Sequence, residues 1–273
     1  MEGHEWSVRL YVNPGIVGWN LSPHFYFWNG EAEFGDIDPS FSSHHVNVLS
    51  LDEVDRAYSR IKTLLRIING VCKLTDRSFI KSSTTLEYFE KNHFSAPNYR
   101  EDMNILIEEL ENPFDEKVVG EIRDREREKW IFQGGKRPYI PGFDEFMVDE
   151  SIDNPTARNI LLWLSLGEEE LLYFMINAYK IMDSIKTETG VLQKGNQDAS
   201  LDNLKVAAKK MQTHSHYMNT KAASGILSRH GEKPEAPPKN IPTIEEMKQD
   251  LVMLVSEWFK YQFIIKYNVQ PKE

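Results

Sequence analysis

"NPTARNILLWLSLGEEELLYFMINAYKIMDSIKTETG", residues 154–190, decides the fold class of the C-terminal half. It opens on an Asn–Pro pair, suited to a helix cap and first turn, and closes on Gly190, a common helix terminator. Between them Leu161, Leu164, Leu171, Phe174, Ala178 and Ile181 recur at rough helical spacing. The pattern predicts one long helix, with Gly167 as the place where it can kink. The run "ILLWLSLGEEELLYFMI" is the most apolar in the chain, but three glutamates interrupt it, which excludes a bilayer span.

Toward the C-terminus, "SLDNLKVAAKKMQTHSHYMN" (200–219) predicts a second helix capped by Ser200. "TKAASGILSRHG" (220–231) predicts a short third, and "TIEEMKQDLVMLVSEWFKYQFIIKY" (243–267) a fourth with a capping box of Thr243 and Glu246. These helices predict a C-terminal domain over residues 142–273, built as a four-helix bundle.

Toward the N-terminus the periodicity changes. "EWSVRLYV" alternates polar and apolar residues, "NPGIVGWN" is rich in turn formers, and "PHFYFW" is aromatic, which together predict antiparallel strands. The aromatic group Trp19, Phe25, Tyr26, Phe27 and Trp28 reads as core or interface rather than as a base-stacking platform. "SLDEVDRAYSRIKTLLRIINGVC" (50–72) predicts a helix with a Ser50–Glu53 box, an apolar face of Val54, Tyr58, Ile61, Leu65 and Ile68, and an end at Gly70. Residues 98–130 predict two helices broken at Pro113, and their "RDREREK" reads as a solvated face laced with i,i+4 pairs. "QGGKRPYIPGF" (133–143) is the candidate linker. The expected architecture is α+β: a mixed antiparallel sheet with helices over 1–141, acting as a sensing or interaction domain, and the helical domain over 142–273.

The chain of 273 residues is 40% hydrophobic and carries a net charge of −10. A real core is therefore expected, and any nucleic-acid contact must come from a local patch working against the overall field. A single cysteine, Cys72, excludes an intramolecular disulfide and a cysteine zinc cluster, and reads as a small buried hydrophobe. The start of the chain lacks the basic and apolar regions of a signal peptide, so a cytoplasmic protein away from membranes is expected.

"SGILSRHGEKPEAPPKNIP" (224–242) joins the third helix to the fourth and contains Arg229 and His230. Basic residues before a glycine and a proline-rich stretch are how many helices end, because cations favour the negative end of the helix dipole. The order of helices around the pair also supports a second reading. Asn219, Arg229 and His230 in "NTKAASGILSRHG", followed by "TIEEMKQDLVMLVSEWF", resemble the HEPN superfamily over roughly residues 154–267. In that four-helix family an Asn or Arg with a nearby His marks the region before the last long helix. Many members are metal-independent ribonucleases, often dimeric, of toxin–antitoxin and phage-defence systems.

The resemblance implies an active site of Arg229, His230 and Asn219, RNA as substrate, no metal or other cofactor, and a homodimer or a partner protein. In the family several residues separate the Arg from the His, whereas here they are adjacent. Their convergence would need the helix to unwind at Gly231 or a mate to supply half of the site. The competing expectation is a non-catalytic protein whose helical domain dimerises or docks a partner. His214 and His216 diverge on a helix and read as polar surface near its end, and the neighbouring His44 and His45 read as surface loop.

Overall fold

The computed structural model describes residues 4–11, 19, 21–29, 39–90, 98–135, 139–196, 198–228, 236 and 239–271. The chain divides into two compact units, Met1–Ile68 with Ser78–Pro141 and Asn69–Arg77 with Gly142–Glu273.

The first unit contains β1 (His4–Tyr11), β2 (Phe25–Asn29), β3 (Pro39–Ser43), α1 (His44–Asn47), most of α2 (Val54–Leu74), β4 (Lys81–Ser82), β5 (Leu86–Glu90), β6 (Asn98–Arg100), α3 (Ile107–Glu111) and α4 (Glu116–Phe132). The six strands form one antiparallel sheet in the order β2–β3–β1–β5–β6, with β4 pairing the far end of β1. Val8 faces Phe41 and Phe41 faces Phe27, so the apolar alternation read from the sequence becomes a ladder of packed side chains. Trp6, Val8 and Leu10 are fully buried, and the Trp6 indole donates to the Leu49 carbonyl at 3.1 Å. Of the aromatic group, Phe25 is buried and Trp19 stacks on Phe27, while the Trp28 side chain lies outside the described residues.

Helix α2 begins as expected, with the Glu53 carboxylate accepting from the backbone and hydroxyl of Ser50. It does not end at Gly70, however, but continues to Leu74. A Cβ at position 70 would stand 2.4 Å from the Leu161 carbonyl oxygen, so this glycine permits a close helix contact and is not a stop signal. Cys72 lies beyond it, buried, and desolvation pushes its thiol up to about 12, which makes it inert. The break at Pro113 falls between α3 and α4, and the Asp115 side chain caps α4 by accepting from Val118 N–H.

The second unit is helical: α5 (Phe143–Asp153), α6 (Pro155–Glu169), α7 (Leu171–Thr189), α8 (Asp202–Thr213), α9 (Ser215–Asn219), α10 (Lys221–Ser224) and α11 (Ile244–Tyr267), with single 3-10 turns at Ala199–Leu201 and Gly225–Leu227. Helix α5 starts eleven residues before the first helix expected in this unit, directly after the Pro–Gly pair, and buries Phe146 against Phe259 and Phe263 of α11. The single long helix expected over 154–190 is two. The chain is extended at Glu170, and α7 folds back on α6 so that Asn177 donates to the Trp163 carbonyl at 3.2 Å. The bare Cα of Gly167 makes that return possible, since a Cβ there would be 3.3 Å from the Phe174 Cα. Gly190, left-handed at φ 62°, ends α7 as its sequence indicates.

Ser200 is not the cap of the next helix. It lies in the 3-10 turn Ala199–Leu201 that leads into α8, and Asp198 caps that turn by accepting from Ser200 N–H at 2.9 Å. Helix α11 carries the expected capping box: Thr243 Oγ1 accepts from Glu246 N–H and the Glu246 carboxylate accepts from Thr243 N–H. Among the described residues no helix is long and apolar enough to cross a membrane.

Candidate functional site

The segment singled out by its sequence lies between α10 and α11. Arg229 and His230 fall outside the described residues. The last described helical residue before them is Leu227, and Ser228 follows with its hydroxyl buried and, among the described residues, without a hydrogen-bond partner. Asn219 ends α9 and is half-buried.

The chemistry-bearing side chains described around this segment come from α8, α9 and α11. Helix α8 packs along α11 through Leu204, Ala207, Ala208 and Met211, a stripe at helical spacing that the sequence already displays. At its end the chain breaks for one residue at His214, which is only 9% exposed. The His214 Nε2 lies 2.7 Å from Asp250 Oδ2, and the other oxygen of this buried carboxylate receives Lys210 Nζ at 2.6 Å. Asp250 thus joins the end of α8 to the first turns of α11 through a cation and an imidazole. Carboxylates buried in this way are tolerated because each oxygen has a charge-assisted partner.

His216, two residues on, points elsewhere: it is exposed, and its Nε2 lies 2.9 Å from the carbonyl of Ala236. The two histidines diverge as expected for helix neighbours, but only His216 is surface: His214 is buried because Asp250 supplies its ring with a partner. Through His216, Ala236 is tied to α9, the helix that ends in Asn219. His214 and Asp250 are the members of this neighbourhood that sequence reasoning missed. Their spacing carried no signal, because 36 residues separate them.

A second histidine cluster lies in the first unit and corrects a sequence expectation. His45 is not a surface loop residue: it is 0% exposed, in the first turn of α1, where the Ser43 hydroxyl accepts its N–H. Its Nδ1 accepts from Asp115 N–H at 3.0 Å, which leaves the proton on Nε2, 2.8 Å from the Nδ1 of buried His24. Phe114 stands edge-on to both rings. Burial, then the nearby His24 and Arg60, push His45 down to about 2, so the ring is held neutral. Arg60 donates to the His45 carbonyl at 2.8 Å and grips Glu109 with Nε and Nη2 at 2.6 and 3.0 Å, while Arg56 reaches the same carboxylate. His24, His45, Arg60 and Glu109 are all buried, with Arg56 alone reaching solvent, and the network reads as architecture.

Among the described residues of the second unit, two hollows bear on its chemistry. One, of about 10 Å³, has room for a single water beneath Glu168, which bridges Lys73 and Lys248 at 3.0 and 3.2 Å. The other is an open cleft of about 450 Å³ lined by Asp202, Asn203, Glu257, Lys260, Tyr261 and Gln270, a ligand-sized volume. Its α11 residues follow Asp250 by two to four helical turns, roughly 10–20 Å along the axis, so it is not continuous with the His214–Asp250 pair.

Comparison of the chain with family models, curated proteins and solved structures finds no match.

Proposed function

We propose that the helical unit is an RNA-binding effector domain, of phage-defence or toxin type, that cleaves RNA without a metal. Arg229 and His230 are the reactive pair and Asn219 contacts or orients the phosphate. The observation that supports this reading best is the 2.9 Å contact of His216 with the Ala236 carbonyl, which ties a described residue of the same connection to the helix that ends in Asn219. The chemistry suits these residue types. RNA brings its own nucleophile, the 2′-hydroxyl. An imidazole takes that proton and returns one to the leaving 5′-oxygen, while a guanidinium holds the phosphate through two donors and offsets the charge that builds on it. The first unit would sense a ligand or a partner protein.

Incubating purified protein with mixed RNA in EDTA tests this reading. Cleavage is expected from the wild type, with a loss of roughly 10²-fold or more in Arg229→Ala and in His230→Ala, a smaller loss in Asn219→Ala, and toxicity on expression that tracks activity. Intact RNA with the wild type, or variants that cut as fast as it does, overturns the proposal.

One observation favours the second reading, a non-catalytic interaction protein. At the end of α4, Ile131 is 61% and Phe132 92% exposed, apolar surface of a kind that usually meets a partner. On that reading the RNA stays whole.

A further inference from the structure

The exposed part of α4 carries an inference that does not depend on RNA chemistry. Only Val118, Val119 and Ile122 of this helix are buried, and from Arg123 to Phe132 its residues are exposed or half-buried. Ten residues, about 15 Å of helix, therefore stand away from the core of the unit. Short helices without packing are marginal in water, so such a segment needs another source of order.

Its own charges supply little. The expected i,i+4 ladder is not what the run contains. Arg123 with Arg127, Asp124 with Glu128 and Arg125 with Lys129 are like-charged at i,i+4, and opposite charges stand instead at i,i+3, as in the contact of Lys129 with Glu126 at 3.6 Å.

Glu121, Asp124, Arg125, Glu128, Lys129 and Phe132 recur at i, i+3, i+4, i+7, i+8 and i+11, one continuous helical face, and all six are exposed. The order of charge along this face reverses about its midpoint. We infer that this face of α4 docks antiparallel on the same face of a second copy of the chain. The two-fold axis would pass beside Glu126 and Arg127. Arg125 would then meet Glu128 of the mate, Asp124 would meet Lys129, and each pair would occur twice, as an isologous contact requires. Phe132 would come down on the methylenes of the mate's Glu121 and Lys117, which pair with each other at 3.8 Å and so present their stems. The opposite charges of the mate would add to the i,i+3 pairs of the lone helix and offset its like-charged i,i+4 neighbours. The contact is small by the standard of stable dimers, so association in the micromolar range is expected.

Charge exchange between copies tests the register. Arg125→Glu/Lys129→Glu makes the face wholly acidic, and Asp124→Lys/Glu128→Lys makes it basic apart from Glu121. These positions are exposed, and far-UV circular dichroism will confirm that both variants remain folded. In sedimentation velocity from low to high micromolar, the wild type should dimerise. Each variant alone should weaken dimerisation by about tenfold or more, since two pairs of attractions become repulsions. An equimolar mixture of the two variants should dimerise again, because every position of one face then meets its opposite on the other. A wild type that stays monomeric at high micromolar, variants that dimerise as well as the wild type, or a mixture that fails to recover each overturns the proposal.

Discussion

The two buried histidine networks solve the same problem in opposite ways. In the first unit His45 meets another imidazole and a backbone N–H, with a guanidinium on its carbonyl, and burial forces it to be neutral. In the second unit His214 meets a carboxylate that a lysine also holds, at a point where Lys210 is still 59% exposed. The first arrangement leaves a proton no favourable place to go. The second gives a positive charge a partner and water a way in. The two histidines, both buried, thus differ chiefly in the charges that surround them.

The largest expected effect comes from the charges that back each network. Arg60 and Glu109 are both almost wholly buried, so Glu109→Ala strands a guanidinium in the core and should cost roughly 3–5 kcal/mol in urea unfolding. Asp250→Ala leaves Lys210 free to turn to water and removes one hydrogen bond from His214, and should cost only about 1–2 kcal/mol. Equal costs would remove the contrast between a closed and an open network.

Acid should separate them further. The folded His45 is held down at about 2 against an ordinary value of 6.5, so below pH 6.5 the unfolded chain binds a proton that the folded one refuses. Stability from this group is therefore complete above pH 6.5 and is lost as pH falls toward the folded value, at up to about 1.4 kcal/mol per pH unit. His45→Asn keeps an acceptor for Asp115 N–H but cannot titrate. Urea midpoints of wild type and variant should converge between pH 7 and pH 5, and parallel curves would show that His45 protonates in the folded state.

Much of the fold was legible in the letters, and the exceptions have a common cause. The alternation of "EWSVRLYV", the capping box of Thr243 and Glu246 and the left-handed Gly190 are local signals, and the strand, the helix start and the helix end follow from them. Gly70 and Gly167 carry the same letter as Gly190 but answer to the backbone of another helix, Leu161 of α6 and Phe174 of α7 respectively, so local signals alone make the first a stop and the second a kink. His45 was read as surface because its partners, His24, Arg60 and Asp115, lie 15 to 70 residues away. The His214–Asp250 pair was hidden for the same reason. Charge order along α4, by contrast, is visible in sequence, yet its meaning depends on knowing which side of the helix the core leaves bare.

The smallest expected effect is the most specific test of how open the His214 network is. Lys210 Nζ lies 2.6 Å from Asp250 Oδ1, a distance that in a dry core would make its loss severe. Its side chain is mostly in water, where the attraction of an ion pair is largely cancelled by solvation and by the entropy of holding a long side chain still. Lys210→Ala should therefore cost less than about 1 kcal/mol, and the cost should shrink at high salt as the exposed charge is screened. Asp250→Asn sharpens the point, because the amide oxygen still accepts from the His214 Nε2–H while the attraction for Lys210 is gone. If the network is as open as the exposure of Lys210 indicates, the two variants lose similar, salt-sensitive amounts. A salt-independent loss of several kcal/mol in Lys210→Ala would instead mean that Asp250 depends on the lysine as Glu109 depends on Arg60, and the two histidines would then belong to the same kind of site.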